Sequence, residues 1–165
     1  MAEANRLREE LPPEVQSALL EHEAAGTTDS VAYQEAMQVF YDRHVCRVHP
    51  YPDYVQRSFE FLENSPAEVY NTMNGPSEFH VIGTIKDWDV RDRLGEIHAP
   101  TLVTSGRYDE ATPLIARTVH EGIPGSQWVV FENSSHMAHV EEADRYMQVL
   151  GDFIGQHEGD RKSVV

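Results

Sequence analysis

The stretch Thr101-Leu-Val-Thr-Ser-Gly-Arg-Tyr-Asp-Glu-Ala-Thr-Pro113 is the most informative part of this chain for its fold, because it joins a strand pattern to a helix start through one short loop. The run Thr101–Ser105 is apolar and β-branched, as is typical of a strand. Thr112 and Pro113 are typical of a helix N-cap and a first helical position, and Gly122 is typical of a helix end. The pattern therefore predicts a strand, a loop and a helix in succession.

A second strand is predicted at Trp128–Phe131, after Pro124-Gly125 and just before the loop Asn133-Ser-Ser-His136. A strand, a helix and a strand joined by short loops are expected to form a right-handed crossover between parallel strands. Asp109 and His136 each follow one of these strands. Because the carboxyl ends of parallel strands meet at one edge, where open α/β sheets bind ligands, we expect the two side chains to lie together there.

An Asp followed by a His is two thirds of the Ser, Asp, His order found in one class of hydrolases. In such a triad the His is the general base, and the carboxylate holds the imidazole in the required tautomer. The sequence contains neither a Gly-x-Ser-x-Gly elbow nor a His-Gly-Gly-x-Gly oxyanion loop. Ser134 and Ser135 adjoin His136, but neither lies in a strand-to-helix elbow, so we interpret both as loop hydroxyls. The nucleophile of a triad is therefore missing from this sequence.

Composition limits the class of protein and its partners. The 165 residues are 40% hydrophobic, without an apolar run long enough to span a membrane, and are typical of a globular chain. A formal charge of −15 disfavours nucleic acid and anionic membranes and is compatible with a cationic ligand. The single cysteine, Cys46, excludes an internal disulfide. Since the beginning of the sequence lacks a secretory signal pattern, we expect a cytoplasmic location.

Residues 1–78 are predicted to be helical and are interpreted as a lid. The expected helices are 14–25, 31–43, a stretch after Asp53 that reaches Leu62, and one that the capping box Ser65-Pro-Ala-Glu68 opens and that ends near Asn71. Such short helices bury little core of their own, so the lid is expected to pack over something else.

Residues 79–156 are predicted to be the C-terminal part of an α/β core, followed by a flexible tail at 157–165. An extended segment is expected at Phe79–Ile85, a polar connector with a helical turn at 87–97, and a last helix at 141–156. A pair of parallel strands is marginal in water without further strands and helices. The core is therefore expected to need a partner that completes its sheet.

Some sequence motifs occur together and in order, and they carry a family resemblance: Val69-Tyr-Asn-Thr-Met-Asn-Gly-Pro-Ser-Glu-Phe79, Gly83-Thr-Ile-Lys-Asp-Trp-Asp89, Ser105-Gly-Arg-Tyr-Asp-Glu110 and Ser134-Ser-His136. From Met1 to about Ile154 the chain resembles the C-terminal portion of a proline iminopeptidase (prolyl aminopeptidase), an α/β-hydrolase with a helical lid. The resemblance implies a partial α/β-hydrolase fold, with the lid followed by the last strand, helix, strand and helix of a parallel sheet. It also implies a serine hydrolase that removes an N-terminal residue, often proline, from small peptides or amides.

The resemblance assigns roles to four residues. Asp109 is similar to the triad acid of the family and His136 to its general base, while Glu78 and Glu110 match two glutamates that bind the free amine of the substrate. Tyr70 is a further candidate for lining the pocket. Adjacent side chains in an extended loop point apart, so Asp109 can face His136 while Glu110 faces the lid, where Glu78 would complete a clamp on an ammonium group. Each charge-assisted hydrogen bond of that clamp contributes about 1.5–3 kcal/mol.

Cofactors and metals are not expected. The spacing His136-x-x-His139 with Glu141 lacks the Glu of a His-Glu-x-x-His zinc motif. Cys46, between His44 and His49, is interpreted as a lid cysteine flanked by surface histidines.

The expected partners are a small peptide or aminoacyl amide with a free N-terminus and the missing N-terminal half of the hydrolase. We expect the chain alone to be inactive. An amino-acid amidase or esterase of the same fold and a non-catalytic amine-binding remnant remain open as alternatives. The sequence also leaves open whether the chain is a natural truncation, a proteolytic piece or one of two subunits.

Overall fold

The computed structural model describes residues 2–64 and 68–158, and the chain divides into two compact units, Met1–Asp89 and Val90–Val165. The first unit contains helices and loops in its described residues. These helices are α1 (Ala2–Arg8), α2 (Pro13–Ala25), α3 (Val31–His44), α4 (Asp53–Asn64) and α5 (Glu68–Met73). The units divide after Asp89, whereas the lid was predicted to end at residue 78, and that functional boundary stays a prediction.

The helices predicted at 14–25 and 31–43 are confirmed as α2 and α3. Pro13 opens α2, and Gly26, at a φ of 68°, ends it in the left-handed conformation that a glycine adopts without steric cost. Ser30 caps α3, since its Oγ accepts the Tyr33 N–H at 3.3 Å. Helix α1 was missed because its sequence is mostly polar, with Leu7 as its contribution to the buried core. Residues 65–67 of the capping box predicted at Ser65-Pro-Ala-Glu68 lie outside the described residues.

The first unit has its own hydrophobic core, and one core residue comes from a loop. Phe79 lies beyond α5 and is completely buried, with its ring centroid 4.6 Å from that of Phe40 in α3. The Arg8 guanidinium lies 5.0 Å above the Phe79 ring. The buried members of this core are Leu7, Leu11, Leu19, Tyr33, Ala36, Phe40 and Phe79. Phe79 therefore anchors the loop that carries Glu78.

The extended segment predicted at Phe79–Ile85 does not form a strand: Phe79 and residues 83–85 lie in turns and a bend, and residues 80–82 have no regular structure. Their backbone N–H groups turn back onto α5: Gly83 donates to the Asn74 carbonyl at 2.9 Å and Thr84 to the Thr72 carbonyl at 3.0 Å. The helix end thus supplies acceptors that a neighbouring strand would otherwise provide. A Cβ on Gly83 would lie 2.3 Å from the Met73 oxygen, so this packing requires glycine.

The second unit is a strand, a helix and a strand followed by C-terminal helices. A 3-10 helix at Arg91–Glu96 is the predicted turn of the connector, and it is followed by β1 (Leu102–Gly106), α6 (Pro113–Gly122) and β2 (Gln127–Phe131). The strands are parallel, with Val103 opposite Trp128 and Gly106 opposite Phe131. This register brings the ends of both strands to one edge of the sheet. The predicted strand, helix and strand are therefore confirmed.

The last predicted helix, 141–156, is confirmed with slightly shifted ends, and a short helix that was not predicted precedes it. Helix α7 (Ala138–Glu141) and helix α8 (Ala143–Glu158) meet at Glu142, whose φ of −127° interrupts the helical path. The flexible tail predicted from residue 157 is wrong at its start, because α8 continues through Glu158, and residues 159–165 lie outside the described residues.

The sheet of the second unit is only half covered. The first residues of β1 and the middle of β2 are half-buried, and α8 has no buried side chain although Tyr146, Val149, Leu150 and Phe153 form an apolar stripe along it. Parallel sheets are normally covered on both faces. The predicted partial fold is therefore confirmed, with two strands of a larger sheet present among the described residues.

Candidate functional site

The carboxylate of Asp109 is buried and held from several directions. Its side chain is 7% exposed, and its Oδ1 accepts the Ala111 N–H at 2.9 Å. Its Oδ2 accepts the Gly106 N–H at 3.3 Å. The same Oδ1 lies 3.0 Å from Nδ1 of His136. These two backbone N–H groups therefore fix the position of the carboxylate independently of its contact with the imidazole.

The imidazole of His136 combines a buried partner with access to solvent. Its side chain is 51% exposed, while the carboxylate that faces its Nδ1 is buried. An ionised carboxylate only accepts hydrogen bonds, so a neutral imidazole facing Asp109 carries its proton on Nδ1. The other ring nitrogen, Nε2, is then the basic one. This is the tautomer that a general base requires.

Close backbone packing brings the two loops together. The carbonyl oxygens of Ser134 and Ser135 lie against Gly106, where a Cβ would come within 2.4 Å and 2.0 Å of them. The Tyr108 N–H donates to the Ser134 oxygen at 3.0 Å, and the Arg107 N–H donates to the Phe131 oxygen at 2.9 Å. The geometry that joins Asp109 to His136 thus depends on a glycine at the end of β1.

Two glutamates that follow His136 hold the loop that precedes it. Ser134 and Ser135 are completely buried, and their hydroxyls donate to Glu142 Oε2 at 2.6 Å and to Glu141 Oε1 at 2.8 Å. The partial burial of Glu142 opposes its ionisation, but hydrogen bonds from Ser134 and the backbone of Asn133, together with the Arg145 guanidinium, outweigh it and lower its pKa. The sequence analysis did not predict this role for either glutamate. The feature that could have indicated it is the acidic pair Glu141-Glu142 shortly after His136.

In the first unit, Tyr70 and Glu78 are in direct contact. The Tyr70 hydroxyl donates a short hydrogen bond to Glu78 Oε1, and the Asn74 amide donates to the Tyr70 hydroxyl at 3.1 Å. The backbone N–H of Glu78 donates to the Tyr41 hydroxyl at 3.4 Å. Tyr70 was predicted to line a pocket, and its observed contact indicates that it orients the Glu78 carboxylate.

A buried polar network supports the loop that carries Glu78. Ser77 is completely buried, with its Oγ 3.2 Å from the Tyr33 hydroxyl, which donates to Glu23 at 3.4 Å. Glu23 also accepts a hydrogen bond from the Arg8 guanidinium at 2.9 Å. Burial raises the pKa of Tyr33 to about 12. The residue before Glu78 is therefore tied to α1, α2 and α3.

Glu110 follows Asp109 in the second unit and is half-buried, with its Oε2 shielded from solvent. Glu78 belongs to the first unit, and the clamp that these two carboxylates would form stays a prediction. His44 was interpreted as a surface histidine, which is wrong: it is buried, and its ring centroid lies 4.8 Å from that of Phe40. Across residues 2–64 and 68–158, no three His, Cys, Asp or Glu side chains are grouped so that they could hold a metal ion.

Sequence comparison with known proteins identifies the relatives of this chain. No protein-family model matches the chain. The chain is 45% identical over 154 residues to a proline iminopeptidase of Saccharolobus solfataricus and 41% identical over 152 residues to one of Thermoplasma volcanium. These matches cover 93% and 92% of this chain but 49% and 51% of the relatives. The chain thus spans about half the length of the curated relatives it matches.

Solved structures agree with the sequence comparison. The crystal structure of VinJ superposes with a TM-score of 0.90 at 50% identity, over 94% of this chain and 52% of that one. A proline iminopeptidase of Mycobacterium smegmatis gives a TM-score of 0.84 at 44% identity, over 97% of this chain and 53% of that one. The parallel strands and the Asp-His pair at their ends define a chain of the α/β-hydrolase class. Within that class, it is a relative of the proline iminopeptidases and corresponds to their C-terminal half.

Proposed function

We propose that this chain provides the lid and the acid–base pair of a serine aminopeptidase of the proline iminopeptidase type, which hydrolyses an N-terminal residue, often proline, from peptides or amides. The observation that carries the proposal is the 3.0 Å contact between Nδ1 of His136 and the buried Asp109 carboxylate, in a chain related to these peptidases over nearly its whole length. Such a pair provides the general base that can deprotonate a serine hydroxyl near neutral pH.

The proposed role of His136 follows from its tautomer. Nε2 accepts the proton of a serine hydroxyl as the serine oxygen attacks the acyl carbon, and it returns that proton to the leaving amine. An acyl-enzyme remains, and water that is deprotonated by the same nitrogen hydrolyses it. Asp109 stabilises the imidazolium that forms in each step, because its carboxylate lies against Nδ1.

The proposed amine site uses Glu78 and Glu110. The contact with Tyr70 occupies one oxygen of the Glu78 carboxylate, and a carboxylate has acceptor capacity beyond one hydrogen bond. A protonated substrate amine is the partner that two carboxylates would favour. A substrate with a blocked amine would leave them buried without that partner, and such a mismatch can lower kcat/KM by a factor on the order of 10⁴.

The nucleophile is proposed to come from the half of the hydrolase that these 165 residues do not contain. The sequence has no Gly-x-Ser-x-Gly elbow, and Ser134 and Ser135 are buried against glutamates. We therefore expect the chain alone to show no peptidase turnover. Joined to the N-terminal half of a relative, the chain should be active.

The experiment compares the chain alone with a completed hydrolase, in which the chain is fused behind the N-terminal half of the Saccharolobus solfataricus relative. Both are assayed with proline p-nitroanilide and with its N-acetylated form. We expect turnover of the free-amine substrate by the completed hydrolase only. His136→Ala should lower kcat by a factor of at least about 10³, because the general base is lost.

Two variants serve as controls in this assay. His98→Ala removes an exposed histidine of the same unit and should leave turnover unchanged. Glu121→Gln, on an exposed face of α6, is the matched control for Glu110→Gln, which should raise KM for the free-amine substrate. Turnover by the chain alone that His136→Ala abolishes would refute the missing nucleophile. Equal cleavage of the acetylated substrate would favour an amidase or esterase, and binding of proline without turnover by the completed hydrolase would favour a binding remnant.

A further inference from the structure

The loop that leads into His136 is fastened from behind by Glu141, the last residue of α7. Glu141 Oε1 accepts the Ser135 hydroxyl at 2.8 Å, and its Oε2 accepts the Ser135 backbone N–H. One carboxylate thus satisfies both donors of the residue directly before His136. Because Ser135 is completely buried, its donors have no contact with solvent while Glu141 is in place.

Glu142 repeats this arrangement one residue earlier in the loop. Its Oε2 accepts the Ser134 hydroxyl at 2.6 Å and the Asn133 backbone N–H at 3.0 Å. Its Oε1 accepts the Arg145 guanidinium at 3.2 Å, and the same guanidinium donates to the Val130 oxygen at 3.2 Å. Glu142 is therefore connected through Arg145 to strand β2, which precedes the loop.

The chemistry of the donors explains why both acceptors are carboxylates. Each glutamate meets a hydroxyl and a backbone N–H, and an ionised carboxylate accepts at both oxygens without offering a competing donor. Hydrogen bonds to an ionised acceptor are shorter and stronger than neutral ones. The opposite side of the loop is closed by Gly106 and by the Tyr108 N–H, so the loop is held on both sides.

We propose that Glu141 and Glu142 are positioning residues for His136: by gripping Asn133, Ser134 and Ser135, they set the place from which the imidazole reaches Asp109. This inference rests on the proposed role of His136 as a general base, because a positioned imidazole matters for rate only in that role. Neither glutamate touches the reacting atoms, and both act through the backbone of the loop. A displacement of about 1 Å at a catalytic group can cost on the order of 100-fold in rate.

The first test observes the imidazole directly in the full chain and in the completed hydrolase. With ¹⁵N-labelled histidine, NMR reports the tautomer of His136 and the exchange of its Nδ1 proton, and His136→Gln assigns the signals. Wild type should show the Nδ1–H tautomer with a slowly exchanging proton. Glu141→Ala and Glu142→Ala should each speed that exchange by at least about tenfold, because a loosened loop no longer holds Nδ1 against the Asp109 carboxylate.

The second test measures rates in the completed hydrolase. Glu142→Ala should lower kcat by about 10- to 100-fold while KM stays within about twofold, because positioning of the base acts on the chemical step. Glu142→Gln keeps an acceptor for Ser134 and Asn133 and should restore kcat to within about threefold of wild type. Glu121→Ala, on the exposed face of α6, is the matched control and should change neither the NMR signal nor the rate.

The outcomes separate this inference from the proposed function. If the alanine variants fold but keep the wild-type Nδ1 exchange and kcat, the positioning role is refuted. If they fail to fold, Ser134→Ala and Ser135→Ala remove one hydrogen bond each, and unchanged exchange in both would refute it equally. The completed hydrolase with the wild-type chain can be inactive while Glu141→Ala and Glu142→Ala still speed the Nδ1 exchange of His136. In that case the proposed peptidase function fails, and the positioning of His136 by the two glutamates is supported.

Discussion

At the scale of single residues, the missing side chain of Gly106 lets the loop of His136 approach the end of β1. Any Cβ there would lie 2.0 Å from the Ser135 oxygen, which is a backbone atom and cannot rotate away. The loop would have to retreat, and it carries the imidazole with it. The contact between Asp109 and His136 thus depends on a residue that takes no part in the chemistry.

We expect Gly106→Ala to lower the free energy of unfolding by about 1–3 kcal/mol, the usual cost of overpacking, and to weaken the contact of His136 with Asp109. Gly151→Ala is the matched control, because it lies inside α8 with nothing within 4 Å of its Cβ position. That change should stabilise the chain by about 0.5–1 kcal/mol, as alanine does in a helix. Urea denaturation of both variants measures the difference. Equal effects of the two changes would contradict the close approach at Gly106.

The sequence predicted the Asp109 and His136 contact because each residue follows a strand, and the crossover determines where strands end. It did not predict the positions of Gly106, Glu141 and Glu142, because their roles depend on distances between loops. The pair Glu141-Glu142 is typical of an ordinary helix start, and a glycine such as Gly106 after a strand is compatible with many turns. Pattern rules therefore find residues that are fixed by topology and miss those that are fixed by loop packing.

At the scale of elements, the loop after α5 shows how tertiary partners override a local pattern. The residues Phe79–Ile85 have the composition of a strand, but the end of α5 offers carbonyl acceptors close by, and Phe79 is drawn into the helical core. The loop is also tied through Ser77 to the Tyr33 hydroxyl of α3. The helices thus position Glu78, which the sequence placed in a loop without indicating what holds it.

The hydrogen bond between Tyr33 of α3 and Ser77 of this loop should lose its stabilising effect at alkaline pH. The pKa of Tyr33 is raised by burial to about 12, so the folded chain favours the neutral phenol. Its contribution to stability is complete below the ordinary tyrosine pKa of about 10 and is lost as pH rises through about 12. The free energy of unfolding of wild type should therefore fall more steeply between these pH values than that of Tyr33→Phe.

Tyr33→Phe is itself expected to cost about 1–3 kcal/mol at neutral pH, because Ser77 loses its buried partner. Chemical denaturation at a series of pH values gives both quantities. Tyr54→Phe, at an exposed tyrosine of α4, is the control and should keep the wild-type pH dependence. If the free energy of unfolding changes with pH in the same way for wild type and Tyr33→Phe, the Tyr33 hydroxyl does not stabilise the loop.

At the scale of the whole molecule, the chain divides into a helical unit with its own core and a sheet unit whose two strands are incompletely covered. Leu114, Met147 and Ile154 are each exposed in the sheet unit, beside strands that are only half-buried. The sequence predicted the incomplete sheet, because a pair of parallel strands needs further strands and helices to cover its faces. It also predicted that the helices would bury little core of their own, and that is wrong, since they enclose a cluster of buried residues. A cytoplasmic location stays a prediction; the described helices are all too short or too polar to cross a membrane.

The proposed function requires that Asp109 and His136 activate a serine supplied by the other half of the hydrolase. The most direct measurement is the rate at which a fluorophosphonate probe labels that serine in the completed hydrolase, with wild-type chain, His136→Ala, Asp109→Asn and the control His98→Ala. Labelling should fall by a factor of at least about 10³ in the first two variants and stay unchanged in the third. Equal labelling rates in wild type and His136→Ala would contradict the claim.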